Sequence, residues 1–182
     1  MTYDPQKHHR RSIRLKEYDY SRFGAYFVTI CTQDRKCFLG TVGNETVELS
    51  PMGKIVHEFW FEIPKHFQHV RLDVFVVMPN HVHGILLIGD SEGGNTNADA
   101  ERGGETPPLR RVTLGQVVAY YKYQTSKMIN RIRNTAGMPV WQRNYYEHII
   151  RNEKELNQCR EYIINNPLKW VLDQENPDYK KQ

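Results

Sequence analysis

Side chains of an extended chain alternate between two faces. Over the apolar residues 78–88 that alternation sets His81 and His83 on one face and Val82, Leu86 and Ile88 on the other. Residues 71–78 form a second apolar run, separated from the histidine strand only by Pro79 and Asn80, so the pair predicts a tight antiparallel hairpin. Residues 25–32, β-branched and aromatic, predict a first strand. Residues 33–36 read as a turn before Cys37, Phe38 and Leu39, and residues 46–49 as a short edge strand. The periodicity then changes to that of a helix. Ser50 and Pro51 supply an N-cap and first helical position, after which Met52, Ile55, Val56, Phe59, Trp60 and Ile63 recur on one face as a core stripe.

A second helix begins near Thr113, with Leu114, Val118, Tyr121, Met128 and Ile132 expected inward and Lys127 and Arg131 outward; Gly137 and Pro139 stop it. Residues 141–150 predict a last strand, and Asn152 with Glu155 caps a third helix that ends before Pro167. Strand, helix, two strands, helix, strand, helix is the order of an α+β protein. The expectation is a ferredoxin-like or RRM-like sandwich, an antiparallel sheet backed by helices on one face. A chain of 182 residues suits one such domain. It divides into a basic N-terminal arm (residues 1–24), the folded domain (25–170) with a polar, Gly-rich loop at 89–105, and a C-terminal tail (171–182).

Charge adds a partner class. The net charge of +4 is moderate, but from Thr106 through Tyr146 there is no Asp or Glu, while Arg110, Arg111, Lys122, Lys127, Arg131, Arg133 and Arg143 all fall within that stretch. Solvated helix faces usually mix signs. A single-sign stretch interleaved with Tyr120, Tyr121 and Tyr123 suits a polyanion with stackable bases, and the arm's Lys7, Arg10, Arg11, Arg14 and Lys16 add to it. The cysteines, Cys31, Cys37 and Cys159, form neither a paired framework nor a Cys-x-x-Cys site, which fits a reducing cytosol. No apolar run approaches a membrane span, so a cytoplasmic protein, associated with the nucleoid through DNA, is expected.

The chemistry converges on two places. Two imidazoles at i and i+2 on one strand face can share a divalent cation whose remaining positions accept phosphate oxygens. On the third helix Tyr162 and Asn166 stand one turn apart on one face, with Leu156, Cys159 and Ile163 forming the buried stripe beside them.

Three blocks, residues 78–83, then Trp141 with Gln142 and residues 145–152, then residues 162–167, together resemble the REP-associated tyrosine transposases. These are HUH single-tyrosine transposases related to insertion sequences of the 200/605 type. The resemblance covers about residues 26–170. It implies a DNA endonuclease and strand transferase that cuts and rejoins single-stranded or hairpin DNA through a 5′-phosphotyrosine intermediate. Tyr162 would be the nucleophile, with His81, His83 and Asn166 as ligands of Mg²⁺ or Mn²⁺. Relatives include monomers and homodimers, and many insertion-sequence relatives carry glutamine where this chain has Asn166.

Three other readings use parts of the same pattern. A histidine-triad nucleotide hydrolase would want a third histidine at the next same-face position, where this chain has Ile85. A non-catalytic single-stranded nucleic-acid-binding module would need the basic stretch but neither the histidines nor Tyr162. A hydrolytic metal nuclease would leave no protein–DNA adduct.

Overall fold

Four strands make the sheet in the order β4-β5-β1-β6, all antiparallel: β1 (Gly24–Cys31), β4 (Val70–Val77), β5 (His81–Ile88) and β6 (Tyr146–Ile150). A separate hairpin pairs β2 (Gly40–Gly43) with β3 (Thr46–Leu49). The helices are α1 (Pro51–His66), α2 (Leu114–Arg133) and α3 (Glu153–Ile164). The structure, a computed structural model, describes residues 24–89, 112–173 and 176–177. The basic arm up to residue 23, Arg110, Arg111 and the 89–105 loop beyond Gly89 lie outside the described residues, as does most of the tail. Connected as β1-α1-β4-β5-α2-β6, the sheet is the ferredoxin-like arrangement expected from the element order. No helix among the described residues is long and apolar enough to cross a membrane.

The caps fall where the sequence placed them. Ser50 Oγ accepts the Gly53 amide at 3.1 Å, Thr113 and Gln116 form a reciprocal capping box, and Asn152 Oδ1 accepts the Glu155 amide at 2.9 Å. Opposite faces of the sheet carry separate cores. Tyr26, Val28, Ile30, Val82 and Leu86 pack against α1 and α2. Their strand neighbours Phe27 and Ile85 pack with Ile150, Ile163, Leu156 and Cys159 on the α3 side. Helices therefore cover both faces, not one as expected. The reason is that β1 and β5 are apolar at both parities, and α3 follows β6 onto the face that the two crossover helices leave open.

Two details of packing aim the site. Gly84 sits between His83 and Ile85 with the Trp60 ring pressed on it; a Cβ there would meet that ring at 2.3 Å, so only glycine admits α1 this close. In β4 the register jumps from Leu72↔Leu86 to Phe75↔Gly84, one extra residue on β4. That bulge switches the strand's parity: Leu72 and Phe75 serve the α1 side, and Val74 and Val76 the α3 side. Beside it, Asp73 accepts Arg160 Nε of α3 at 3.0 Å and Nη2 at 2.5 Å.

The Arg160 hydrogen bonds hold the Asp73 carboxyl below its ordinary 3.8 against the opposing effect of burial. Asp73→Asn is expected to lower stability by about 1 kcal/mol, a modest figure because the guanidinium is partly solvated. A carboxylate depressed in the folded state stabilises above the unfolded value and ceases to as pH falls through the lower folded value. Urea melts should therefore show the wild-type advantage in full at neutral pH and none once acid has protonated Asp73.

The inward face of α2 also differs from expectation. Leu114, Val117, Val118, Tyr121, Thr125 and Ile129 are buried, whereas Ile132 is exposed and Met128 only half-buried. Ile132 lies in the last turn of α2, beyond Ile129, the last buried position of the helix.

Candidate active site

His81 and His83, both buried, stand side by side on the α3 face of β5 with their Nε2 atoms 2.9 Å apart. Asn80 orients the first ring. Its Nδ2 donates to the Arg35 carbonyl at 3.1 Å, which turns Oδ1 toward His81 Nδ1 at 2.9 Å. An amide oxygen only accepts, so Nδ1 of His81 carries the proton and Nε2 presents a lone pair. The second ring has Thr29 Oγ1 at 2.8 Å from its Nδ1. A hydroxyl can accept there as well as donate, so His83 can likewise expose a lone pair at Nε2. Burial draws the His81 pKa down to about 3, helped by the charge of Arg35. Burial first, then His81, lowers that of His83 well below 6.5, with Asp173 opposing. Both rings are thus neutral at physiological pH, the state a metal ligand requires.

Oxygen donors come from the chain after α3. Asp173, just past the 3₁₀ turn Trp170–Leu172, brings Oδ2 to 3.7 Å from His81 Nε2. His81, His83 and Asp173 offer ligand atoms all within 4.8 Å of one another, a group able to hold a metal ion. Asn166 lines the same pocket, 2% exposed, with Oδ1 buried and no hydrogen-bond partner among the described residues. Sequence reasoning missed Asp173. It lies ninety residues beyond His83 in a stretch without periodicity, and only the turn after Pro167 returns it to the strand.

Tyr162 is 45% exposed at the rim, its hydroxyl 3.5 Å from His83 Nε2 and its ring edge-on to Phe27 and His83. Because α3 packs on β4 and β5, the neighbouring β1 and β6 surface is left as a groove of about 830 Å³ running from the histidines past Tyr162. Arg35 and Lys169 line it.

The basic stretch is divided by the fold. Lys127 and Arg131 are exposed, as expected, but α2 lies on the sheet face opposite the histidines. Arg143 is exposed beside the groove residues Gln142 and Asn144. Lys122 instead turns inward, its ammonium donating to the carbonyls of Gln142, Arg143 and Asn144 at 2.6, 3.1 and 3.3 Å. Burial draws its pKa down to about 8. Arg133 lies 3.7 Å over the Phe38 ring with Nε 3.0 Å from Met52 Sδ. Of the three tyrosines expected to stack on bases, only Tyr123 is exposed. Tyr121 is core, its hydroxyl donating to the Val56 carbonyl, and Tyr120 stacks on His66. Consecutive positions on a helix point 100° apart, so three neighbouring tyrosines cannot share one surface.

No protein-family model matches the chain. It is 42% identical over 174 residues to an uncharacterized protein of Haemophilus influenzae, covering 94% of this chain and 96% of that one. It is 23% identical over 161 residues to a second protein of that organism, named "Putative REP-associated tyrosine transposase", covering 83% and 74%. A solved structure of a REP-associated tyrosine transposase bound to a REP hairpin shares the fold, with a TM-score of 0.54, 16% identity and coverage of 89% of this chain and 77% of the other. The fold is thus the one that this REP-associated tyrosine transposase adopts. The chain belongs to one family with the 42%-identical Haemophilus influenzae protein, and it is similar in sequence and fold to the REP-associated tyrosine transposases.

Proposed function

We propose that this protein cuts and rejoins single-stranded or hairpin DNA with Tyr162 as nucleophile and a divalent cation, Mg²⁺ or Mn²⁺, as cofactor. The observation that carries this reading is a half-exposed phenol 3.5 Å from one of two paired, neutral imidazoles, at the mouth of a groove. The donors fit such an ion. Bonds of ~2.1 Å at right angles bring neighbouring ligand atoms to about 3.0 Å, and the two Nε2 atoms are 2.9 Å apart. The Asn166 Oδ1, without a partner among the described residues, and the Asp173 carboxylate are hard oxygen donors of the kind Mg²⁺ and Mn²⁺ prefer. His81, His83 and Asp173 would hold the cation, with Asn166 as a further ligand. When bound, it supplies positive charge against the scissile phosphodiester.

The chain's own residues supply the rest. Tyr162 Oη attacks phosphorus, the bond from phosphorus to the 3′ oxygen breaks, the phenol proton passes to groove water, and the 3′ oxygen leaves as a hydroxyl. One phosphodiester replaces another, so a 3′-hydroxyl can reverse the step and regenerate the phenol without ATP. Asn80 and Thr29 fix the two rings, Asp73 and Arg160 pin the tyrosine helix, and Arg35 and Lys169 give phosphates a positive wall. The fold neighbour's REP hairpin supports a hairpin substrate here.

The test uses single strands and hairpins labelled at either end, with Mn²⁺, on denaturing gels. The 3′ label is expected to migrate with the protein and the 5′ label as a free fragment. Cleavage with both labels free would make the protein a hydrolytic nuclease; binding without cleavage would make it a DNA-binding module. Replacing Arg35 and Lys169 together by Ala should weaken binding of every strand sequence and flatten its salt dependence by about one to two phosphate contacts, read as the slope of log affinity against log salt.

A further inference from the structure

The segment that enters β6 has no role in the chemistry above, yet it forms one whole wall of the groove. Gln142, Asn144, Tyr146 and His148 all line it. Tyr146 and His148 are alternate residues of β6 and share one face, while Gln142 and Asn144 precede the strand on either side of a bend at Arg143. Ile149 packs into the opposite core, and Tyr145 packs there too while also bordering the groove. Tyr146 is 55% exposed and lies edge-on to Phe27, whose ring also meets Tyr162. An aromatic left half in water beside a candidate nucleophile is a stacking platform.

The two amides next to it are held in an unusual way. Three successive carbonyls, those of residues 142, 143 and 144, converge on the single ammonium of Lys122. The Gln142 amide nitrogen donates to the Cys31 carbonyl at 2.9 Å, and Trp141 bridges Thr32. The backbone is thus held by Lys122 of α2 on one side and by the end of β1 on the other. The side-chain amides of Gln142 and Asn144 keep donors and acceptors for a ligand in the groove. Side-chain amides present a donor and an acceptor in one plane, the pattern that matches a base edge.

We infer that Gln142, Asn144 and Tyr146 form a subsite for an unpaired DNA base next to the scissile phosphate: Tyr146 stacks on its face and the two amides read its edge. The inference rests on the proposed action on single-stranded DNA and adds how that strand is selected. Lys122 acts as a positioning residue that holds the reading segment. A paired base cannot enter, since its edge is already hydrogen-bonded and its faces are covered by neighbours.

The test is anisotropy titration of labelled dA, dC and dT homopolymers of about 12 nucleotides with the full chain carrying Tyr162→Phe, so that binding is read whether or not the protein cuts DNA. The parent should spread its affinities over these strands by about tenfold or more. In Gln142→Ala/Asn144→Ala the spread should collapse to within about threefold. Tyr146→Ala should weaken all strands by about tenfold, and Tyr146→Phe should restore them. These side chains are on the surface, and circular dichroism melts check that each variant is folded. An unchanged spread in the double variant, or parental affinity in Tyr146→Ala, overturns the subsite. Adduct formation by the native chain together with an unchanged spread would overturn the subsite alone. Base-selective binding lost in the double variant, with no adduct from the native chain, would uphold the subsite and sink the cleavage reading.

Discussion

Tyr162→Phe is expected to eliminate the covalent protein–DNA adduct and to lower strand cleavage by about 10⁴-fold or more, the scale on which enzymes lose rate when a nucleophile is removed. One oxygen is deleted from a ring at the rim of the groove, and the edge contacts of that ring with Phe27 and His83 remain. Stability is therefore expected to stay within ~0.5 kcal/mol of the parent. Affinity for single strands should also persist, because the groove's cations and amides are untouched. Denaturing gels read the adduct, and urea melts with anisotropy titrations read the rest. Should the Phe variant still form adduct, Tyr162 is not the nucleophile, and Tyr146, the other exposed phenol of the groove, takes its place as the candidate.

His81→Ala and His83→Ala are each expected to abolish cleavage and to weaken Mn²⁺ binding by at least about 10- to 100-fold, since losing even an outer-shell partner of a ligand costs that much. Calorimetric Mn²⁺ titration with unchanged affinity in both variants would remove the metal-site reading. Val82→Ala is the control. Its side chain is buried in the opposite core, so it should lower stability by about 1–3 kcal/mol and leave Mn²⁺ affinity alone. The same titration on Asp173→Asn and Asn166→Ala reports which oxygen donor completes the set, the larger loss marking the stronger ligand.

How much of this was legible beforehand follows the range of the physics involved. Strand parity is a two-residue rule, so the shared face of His81 and His83 was readable from their spacing, and the structure keeps it. Helix starts depend on a cap and the next turn, so Ser50, Thr113 and Asn152 were readable too. The one-turn spacing of Tyr162 and Asn166 belongs to the same class, although Asn166 lies just past the end of α3.

What tertiary structure decided is which surfaces meet. Nothing local in α3 says which face of the sheet it will cover; that depends on the crossovers of α1 and α2 having taken the other. The β4 bulge reverses parity within a run that reads as one uninterrupted strand. Lys122 looks like a surface group of a basic helix until the Gln142–Asn144 carbonyls are brought against it. Asp173 and Arg35 reach the histidines through turns. That at Arg35, readable as a turn, has left-handed backbone at Asp34 and Arg35, with φ of 56° and 53°, and which strand end it meets is set only by the fold. The sequence by itself determined the strand, the helices and the spacing of the reactive groups, because those are set by neighbours along the chain. The groove, its charged wall and the carboxylate beside the histidines exist only where distant segments pack, because their positions depend on contacts made across the sheet.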